Sequence, residues 1–422
     1  MPRTELFQRP DMRMAKAKGP DAFFMKLLFV HNYYRTAAPS GEDAVARNER
    51  KLLEDNGLEV IPYEKFNDDL DDSSFFKRIH IGLEYAWSRH TFDEVTKLLE
   101  RIRPDVAHIH SVHPQISPSV YAACQKAGVP VVHTLHNYRY ICPGSLLLRD
   151  GKPCEDCIGQ WPMNALRFRC YRGSLMATGA LVGMIIYNRL RRTFVKEVNR
   201  YIALTEFAKS RLVAGGLPAE QIDVKPNFLP QIPRIRTERK KYAVFVGRLS
   251  EEKGIRTLLS AWRSVKGLPL KIVGDGHLRS ELEVLVRNKS LDVEFLGALQ
   301  REEVLAVIGT AILQIVPSEC YEGFPMVILE ANACATPVIA SCIGSLAEVV
   351  RDGETGLHFE AGNPFDLAIK VNELMARPDF AANLGIRART IFMEKYTSER
   401  NFKLLLDIYQ RAREDYAMRR KR

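Results

Sequence analysis

Two cations five positions apart, Arg248 and Lys253, stand in the run Phe-Val-Gly-Arg-Leu-Ser-Glu-Glu-Lys-Gly over 245–254, where a strand delivers them into a loop ahead of a helix. A guanidinium grips phosphate oxygens as a fork, an ammonium adds a point charge, and a helix N-terminus adds its dipole. Together they can hold a diphosphate. An ordinary solvated loop carries the same residues just as readily, and no glycine directly precedes Lys253, so this is not a Walker A loop. A second constellation lies in Val-Pro-Ser-Glu-Cys-Tyr-Glu-Gly-Phe-Pro-Met-Val-Ile-Leu-Glu over 316–330, with seven residues between Glu322 and Glu330. Pro325 suits the first turn of a helix, which predicts Glu322 at or before its start and Glu330 about two turns along. Two acids so placed meet different parts of one extended ligand, or else cap a dipole and pair with a core cation.

Histidines and cysteines supply the remaining chemistry. His136 is expected where a strand ends at the mouth of a cleft, with His133 as its structural neighbour. His108, His110 and His113 approach metal-ligand spacing. On a strand, however, the first two share a face and the third falls beyond its end, which disfavours a metal. Asp69-Leu70-Asp71 matches an Asp-x-Asp metal motif but sits in an acidic run with no strand expected before it, and reads as a solvated loop. Cys142, Cys154, Cys157 and Cys170 fall in a Gly- and Pro-containing insertion over 142–170 as Cys-x11-Cys-x2-Cys-x12-Cys. They could hold a structural zinc as thiolates, or remain four unligated thiols.

The elements that must position these groups alternate. Short Val/Ile-rich runs at 25–30, 58–63, 105–109, 130–135, 201–204 and 222–225 read as strands separated by helical segments. Residues 226–241, with three prolines and a basic cluster, break the pattern as a linker would. A second set follows at 242–246, 270–273, 293–296, 312–316 and 337–340, and a charged amphipathic helix at 398–418 closes the chain. The fold expected is α/β: two Rossmann-like domains with parallel sheets facing a central cleft, ligands lying in the loops after the strands. We divide the chain into an N-terminal extension, 1–24; a first domain, 25–228; a linker, 229–241; a second domain, 242–395; and a helix packing back across the cleft, 396–422.

A chain of 422 residues, 46% hydrophobic and 27% charged, is too long for one ordinary core and too apolar for disorder. The net charge of +10 suits phosphates or an anionic surface without choosing between them, and is the sole argument for nucleic acid, which is not expected as a partner. The polar start carries no secretory pattern, and the longest apolar run, 175–187, falls short of the roughly 20 residues of a spanning helix. We therefore expect a cytoplasmic protein, with Arg189-Leu190-Arg191-Arg192 after that run as the one hint of peripheral contact at the inner membrane face.

The Gly-Arg-x4-Lys loop followed about 70 residues later by Glu-Gly-Phe-Pro-x4-Glu resembles the retaining glycosyltransferases of family 4, whose fold is GT-B. The likeness runs from Met25 through Ser40-Gly41-Glu42-Asp43, Asn227, Gly274-Asp275-Gly276, Phe295-Leu296-Gly297 and the spaced Glu348, Asp352, Gly353 and Gly356. It implies that Arg248 and Lys253 neutralise a diphosphate leaving group, that Glu330 binds nucleotide ribose hydroxyls and that Glu322 faces the donor sugar. It also implies that His136 lies near donor sugar and acceptor, that Gly41 and Gly274 belong to donor-binding loops, and that the amides of Gly323, Phe324 and Met326 serve sugar or phosphate oxygens. Pro325 has no N–H and departs from relatives with glycine there. The implied reaction is metal-independent, retaining transfer from a nucleotide-diphosphate sugar to a glycan or lipid-linked acceptor, in cell-surface polysaccharide or lipopolysaccharide assembly, with no cofactor. A sugar-nucleotide epimerase and a non-catalytic binding protein are the alternatives; nicotinamide chemistry is weaker, since no Gly-x-Gly-x-x-G follows an early strand.

Overall fold

The Val/Ile-rich runs inside the sheets become strands buried on both faces, the condition of a parallel sheet covered by helices on each side, while the edge runs at 59–66 and 293–297 stay partly exposed. The computed structural model describes residues 25–36, 40–70, 82, 84–236 and 238–421. Its strands are β1 Lys26–Tyr33, β2 Glu59–Phe66, β3 Val106–Ser111, β4 Val131–Leu135, the hairpin β5 Leu148–Arg149 and β6 Lys152–Pro153, β7 Arg200–Ala203, β8 Ile222–Val224, β9 Lys240–Val246, β10 Leu270–Val273, β11 Val293–Gly297, β12 Ala311–Val316, β13 Val338–Ser341 and β14 Gly356–Phe359. The first sheet runs β2-β1-β3-β4-β7-β8 and the second β11-β10-β9-β12-β13-β14, with every recorded pairing within them parallel.

In both sheets the chain starts in the interior, winds outward to one edge, then returns to wind toward the other. That reversal opens a crevice at the carboxyl ends of β1/β3 and of β9/β12, the place where open α/β sheets take ligands. The loops carrying Gly41, Arg248, Lys253 and Glu322 follow β1, β9 and β12. Apolar clusters cover the two faces of each sheet: Leu28, Val30, Ile109 and Val131 head one in the first half, Phe29, Val106 and Val132 the other.

The helix Ser398–Lys421 buries Leu405, Ile408, Tyr409 and Ala412 against Leu27, Phe29, Val132 and Ile202 of the first sheet, so the end of the chain completes the core of its beginning. Across the cleft, the Glu348 carboxylate accepts from the backbone N–H groups of Glu206 (3.0 Å) and Phe207 (2.8 Å), and the Thr205 and Ser345 hydroxyls meet at 3.0 Å.

Three sequence expectations change, and one is not reached. β14 is a sixth strand unread from sequence, because Gly-Leu-His-Phe is too short and too glycine-rich to stand out. β2 runs on to Phe66, so a strand does precede the acidic run at Asp69; Asp68 there accepts from the Thr36 N–H and hydroxyl, and Asp71 lies outside the described residues. The helix after Glu322 is Met326–Ala333, with Pro325 just before it rather than in its first turn, so Glu330 stands little more than one turn in. The extension 1–24 lies outside the described residues.

Candidate active site

The wall formed by the second sheet is built from loops that interlock through bare backbone. Gly254 has φ 65°, and a Cβ there would run into the Pro317 carbonyl, so the loop after β9 presses on the loop after β12. The Glu319 N–H donates to Glu252 O at 2.9 Å across the same seam. Gly274, φ 128°, lies beneath Gly247 in the same way, and its N–H donates to Gly297 O at 2.7 Å.

This seam brings Lys253 Nζ to 2.8 Å from Glu322 Oε1, to which the Ser318 hydroxyl also donates. Burial pushes the Glu322 carboxyl up, but the Lys253 ammonium and Ser318 outweigh it and hold it below its ordinary value. Burial likewise pushes Lys253 down, and Glu322 more than restores it, so the two stand as an ionised pair. Arg248 is different. Its side chain is exposed and its guanidinium bonds no described residue, although its carbonyl accepts from the Ser250 N–H at 3.0 Å.

The N–H groups of Gly323, Phe324 and Met326 bond no described residue either, leaving a row of open donors at the start of the helix Met326–Ala333. Glu330 is the fifth residue of that helix; burial pushes its carboxyl up to about 7, with Arg301 pulling the other way.

The opposite wall is the end of β4. His136 follows it, and its carbonyl lies so close to Gly323 that any Cβ there would collide. One backbone contact thus joins the two halves between Glu322 and His136. His136 Nε2 lies 2.9 Å from His110 Nδ1, and burial, then His110, hold His136 well below the ordinary histidine value, hence neutral. Gly41 opens the helix Gly41–Asp55, capped by reciprocal bonds between Ser40 and Asp43, with nothing within 4 Å of where its Cβ would stand. The Asn137 amide reaches Glu42 Oε2 at 3.4 Å, which sets this helix start beside His136.

Other candidates do not join this group. His133 is core, bonded to the Tyr121 hydroxyl at 2.8 Å and pushed down to about 3 by burial. His113 lies beyond β3, stacked on Tyr85 at 4.2 Å. Among the described residues, one group of three has ligand atoms mutually within 4.8 Å: Glu49, His108 and His110. The Lys225 ammonium already holds the cation position there, 2.6 Å from Glu49 Oε2. Cys142, Cys154, Cys157 and Cys170 line one small cavity, but no three of their sulfurs reach that mutual spacing, so the four are not drawn into a tetrahedral site. Sequence reasoning missed Ser318, Glu49 and Lys225, and gave Glu348 only as part of a spaced motif, without its bonds to the Glu206 and Phe207 amides. Ser318 carries no spacing signal that types and distances along the chain could expose, and Glu49 and Lys225 are paired across 176 residues.

Comparison with known proteins gives this geometry a lineage. The family profile "Glycosyl transferases group 1" matches residues 230–391, and "Glycosyl transferase 4-like domain" matches 47–227. The chain is 35% identical over 160 residues, 38% of its length and 45% of the relative's, to an uncharacterised glycosyltransferase of Methanocaldococcus jannaschii. It is 28% identical over 331 residues, 75% of its length and 70% of the relative's, to the D-inositol 3-phosphate glycosyltransferase of Mycolicibacterium smegmatis. For the first relatives, including a second M. jannaschii protein at 55%, the match spans about half of their length. Its fold is similar to that of Anabaena HepE, solved in complex with UDP and glucose, with TM-score 0.63 and 17% identity over 91% of this chain and 98% of that one. With two facing parallel-sheet halves, each matched by its own profile, the chain belongs to the glycosyl transferases group 1 and has the GT-B fold.

Proposed function

We propose that the protein transfers a sugar from a nucleotide-diphosphate donor to a glycan or lipid-linked acceptor, with retention at the anomeric carbon and without a catalytic metal. The observation that carries this reading is the Lys253–Glu322 ion pair at the β9/β12 crevice, opposite His136, with the exposed Arg248 on the same loop as Lys253. Arg248 and Lys253 supply the positive charge a departing diphosphate needs, and the free N–H row from Gly323 to Met326 adds oriented dipoles. The anomeric C–O bond to diphosphate breaks, the acceptor oxygen bonds the same carbon from the same face, and the acceptor's proton passes to the departing phosphate oxygen. Glu330 takes the ribose hydroxyls, and Gly41 and Gly274 let the donor approach the backbone.

Incubating the protein with a panel of nucleotide-diphosphate sugars in EDTA tests this. The expected result is release of nucleoside diphosphate from at least one donor, with the product anomer matching the donor's by NMR. No turnover of any donor, or activity restored only by manganese, overturns it.

Two separable parts complete the reading. Trp161, Met163, Met176 and Leu190 are 53–76% exposed and interleave with exposed Arg167, Arg169, Arg172, Arg191 and Arg192, which supports peripheral contact with an anionic bilayer and a place in cell-surface glycan assembly. Among the described residues no helix is long and apolar enough to cross a membrane. Flotation with anionic vesicles, lost at high salt, is expected; indifference to vesicle charge removes this part. The second part is a structural zinc that draws the four insertion thiols together. Elemental analysis of untagged protein decides it, and less than about a tenth of an equivalent removes it.

A further inference from the structure

A column of buried polar groups leads from the C-terminal helix to His136. Lys225 Nζ lies 2.6 Å from Glu49 Oε2 and 3.2 Å from Asn401 Oδ1, Glu49 Oε1 lies 3.2 Å from His110 Nε2, and His110 Nδ1 lies 2.9 Å from His136 Nε2. Lys225 and Glu49 have no exposed surface and His110 is 3% exposed. The other groups facing this column have their own partners: His108 bonds the Tyr409 and Thr134 hydroxyls, and His31 bonds Asp43.

The order of protons along the column follows from what each group can do. Burial pushes the Glu49 carboxyl up, but the Lys225 ammonium and the His110 contact hold it well below the usual carboxylate range, so it only accepts. Burial keeps His110 neutral, with a single N–H; its Nε2 and the Glu49 Oε1 it faces at 3.2 Å have no aligned hydrogen-bond partner elsewhere, so the carboxylate favours the N–H on Nε2. His110 Nδ1 is then a lone pair, and His136 Nε2 has to donate to it. Neutral His136 is left with a bare Nδ1, which has no partner among the described residues.

We infer that Glu49 and His110 are positioning residues that lock His136 as its Nε2–H tautomer and so present the Nδ1 lone pair to the cleft as acceptor for a substrate hydroxyl. The tautomer assignment stands on the column; the hydroxyl rests on the transferase reading above. The arrangement is the familiar one in which a second group fixes which imidazole nitrogen is free.

The test uses the full chain labelled with 15N-histidine, with the His136 signals assigned by their loss in His136→Asn. The wild-type protein is expected to show a protonated Nε2 and an unprotonated Nδ1. Glu49→Gln alone strands the Lys225 charge and can unfold the protein, so Glu49→Gln is combined with Lys225→Met, which removes both charges. In the folded double variant the Nδ1–H form should appear, with kcat reduced by about 10- to 100-fold and donor affinity unchanged. Glu49→Asp, which keeps the carboxylate, should recover part of the loss. An Nδ1–H or doubly protonated His136 in the wild-type protein, or a folded double variant with tautomer and turnover both unaltered, overturns the inference. The NMR result needs no donor, so an absence of transfer activity would count against the proposed function and leave the tautomer assignment to be judged separately.

Discussion

Arg248 and Lys253 differ in what surrounds them, and that difference predicts different phenotypes. The Arg248 guanidinium has no partner among the described residues, so Arg248→Ala should leave folding intact and reduce kcat by about 10²–10³, the usual cost of one lost charge-stabilising contact. Lys253→Ala should cost as much in turnover and also lower the thermal midpoint, because it leaves Glu322 ionised and half-buried without its partner. Steady-state kinetics with circular dichroism decides this; near-normal kcat in both variants would refute the diphosphate role. Glu330 makes a pH prediction. Its raised value means that in the free protein stability is lost as pH rises from the ordinary carboxylate range to about 7, where the acid ionises in a site that disfavours charge. A nucleotide whose ribose hydroxyls donate to the ionised form should bind more tightly as pH rises through about 7 and release a proton. Calorimetry across pH 6–8 should show that dependence in the wild-type protein, reduced in Glu330→Gln to the ligand's own titration; parallel profiles would exclude the contact.

The loops after β9, β10 and β12 place these residues because glycine lets three turns occupy one volume. Gly254 is the tightest point: φ 65° already disfavours any side chain, and the Pro317 carbonyl fills the space a Cβ would need. Gly254→Ala should therefore cost more than about 1–2 kcal/mol in denaturant unfolding and separate Lys253 from Glu322. Gly41→Ala is the contrast, since nothing stands within 4 Å of its Cβ position and alanine suits a helix better. Stability should hold or rise there, and any loss of turnover would then report on the approach of substrate rather than on folding. Equal destabilisation by the two substitutions would show that packing at the seam is looser than these contacts require.

The two halves of the molecule are tied by chain ends as much as by the cleft. Tyr409, from the last helix, is fully buried in the first half and its hydroxyl lies 2.7 Å from His108 Nδ1. Tyr409→Phe should cost about 1–3 kcal/mol, the price of leaving a buried imidazole nitrogen unpaired, and chemical denaturation measures it directly. A stability unchanged within about 0.5 kcal/mol would mean that the nitrogen finds another partner. Lys225 bonds both Glu49 and Asn401, so the same helix also touches the column that ends at His136. The Glu348 carboxylate on the Glu206 and Phe207 amides is a second tie, made at the N-terminus of a helix where negative charge is favoured.

Local pattern was enough for the architecture and for the loops that carry the proposed donor residues. Eleven of the strands follow from runs of β-branched and apolar residues, because burial on both faces writes itself into consecutive positions. That Arg248, Lys253 and Glu322 lie on loops at one crevice was legible because these loops directly follow strands, and sheet topology carries such loops together. Four-residue β14 and the true start of the helix at Met326 were not legible, since glycine and proline there obey contacts with other segments rather than local preference. Nor could sequence reveal that Glu49 and Lys225, 176 residues apart, share a charge pair, or that His110, weighed and disfavoured as a metal ligand, backs onto His136. Those are pairings between elements, and a residue type names the bonds it can make without naming the partner. The partner is decided when the sheet and the last helix close around a buried charge, because there each donor and acceptor must be matched where water cannot reach.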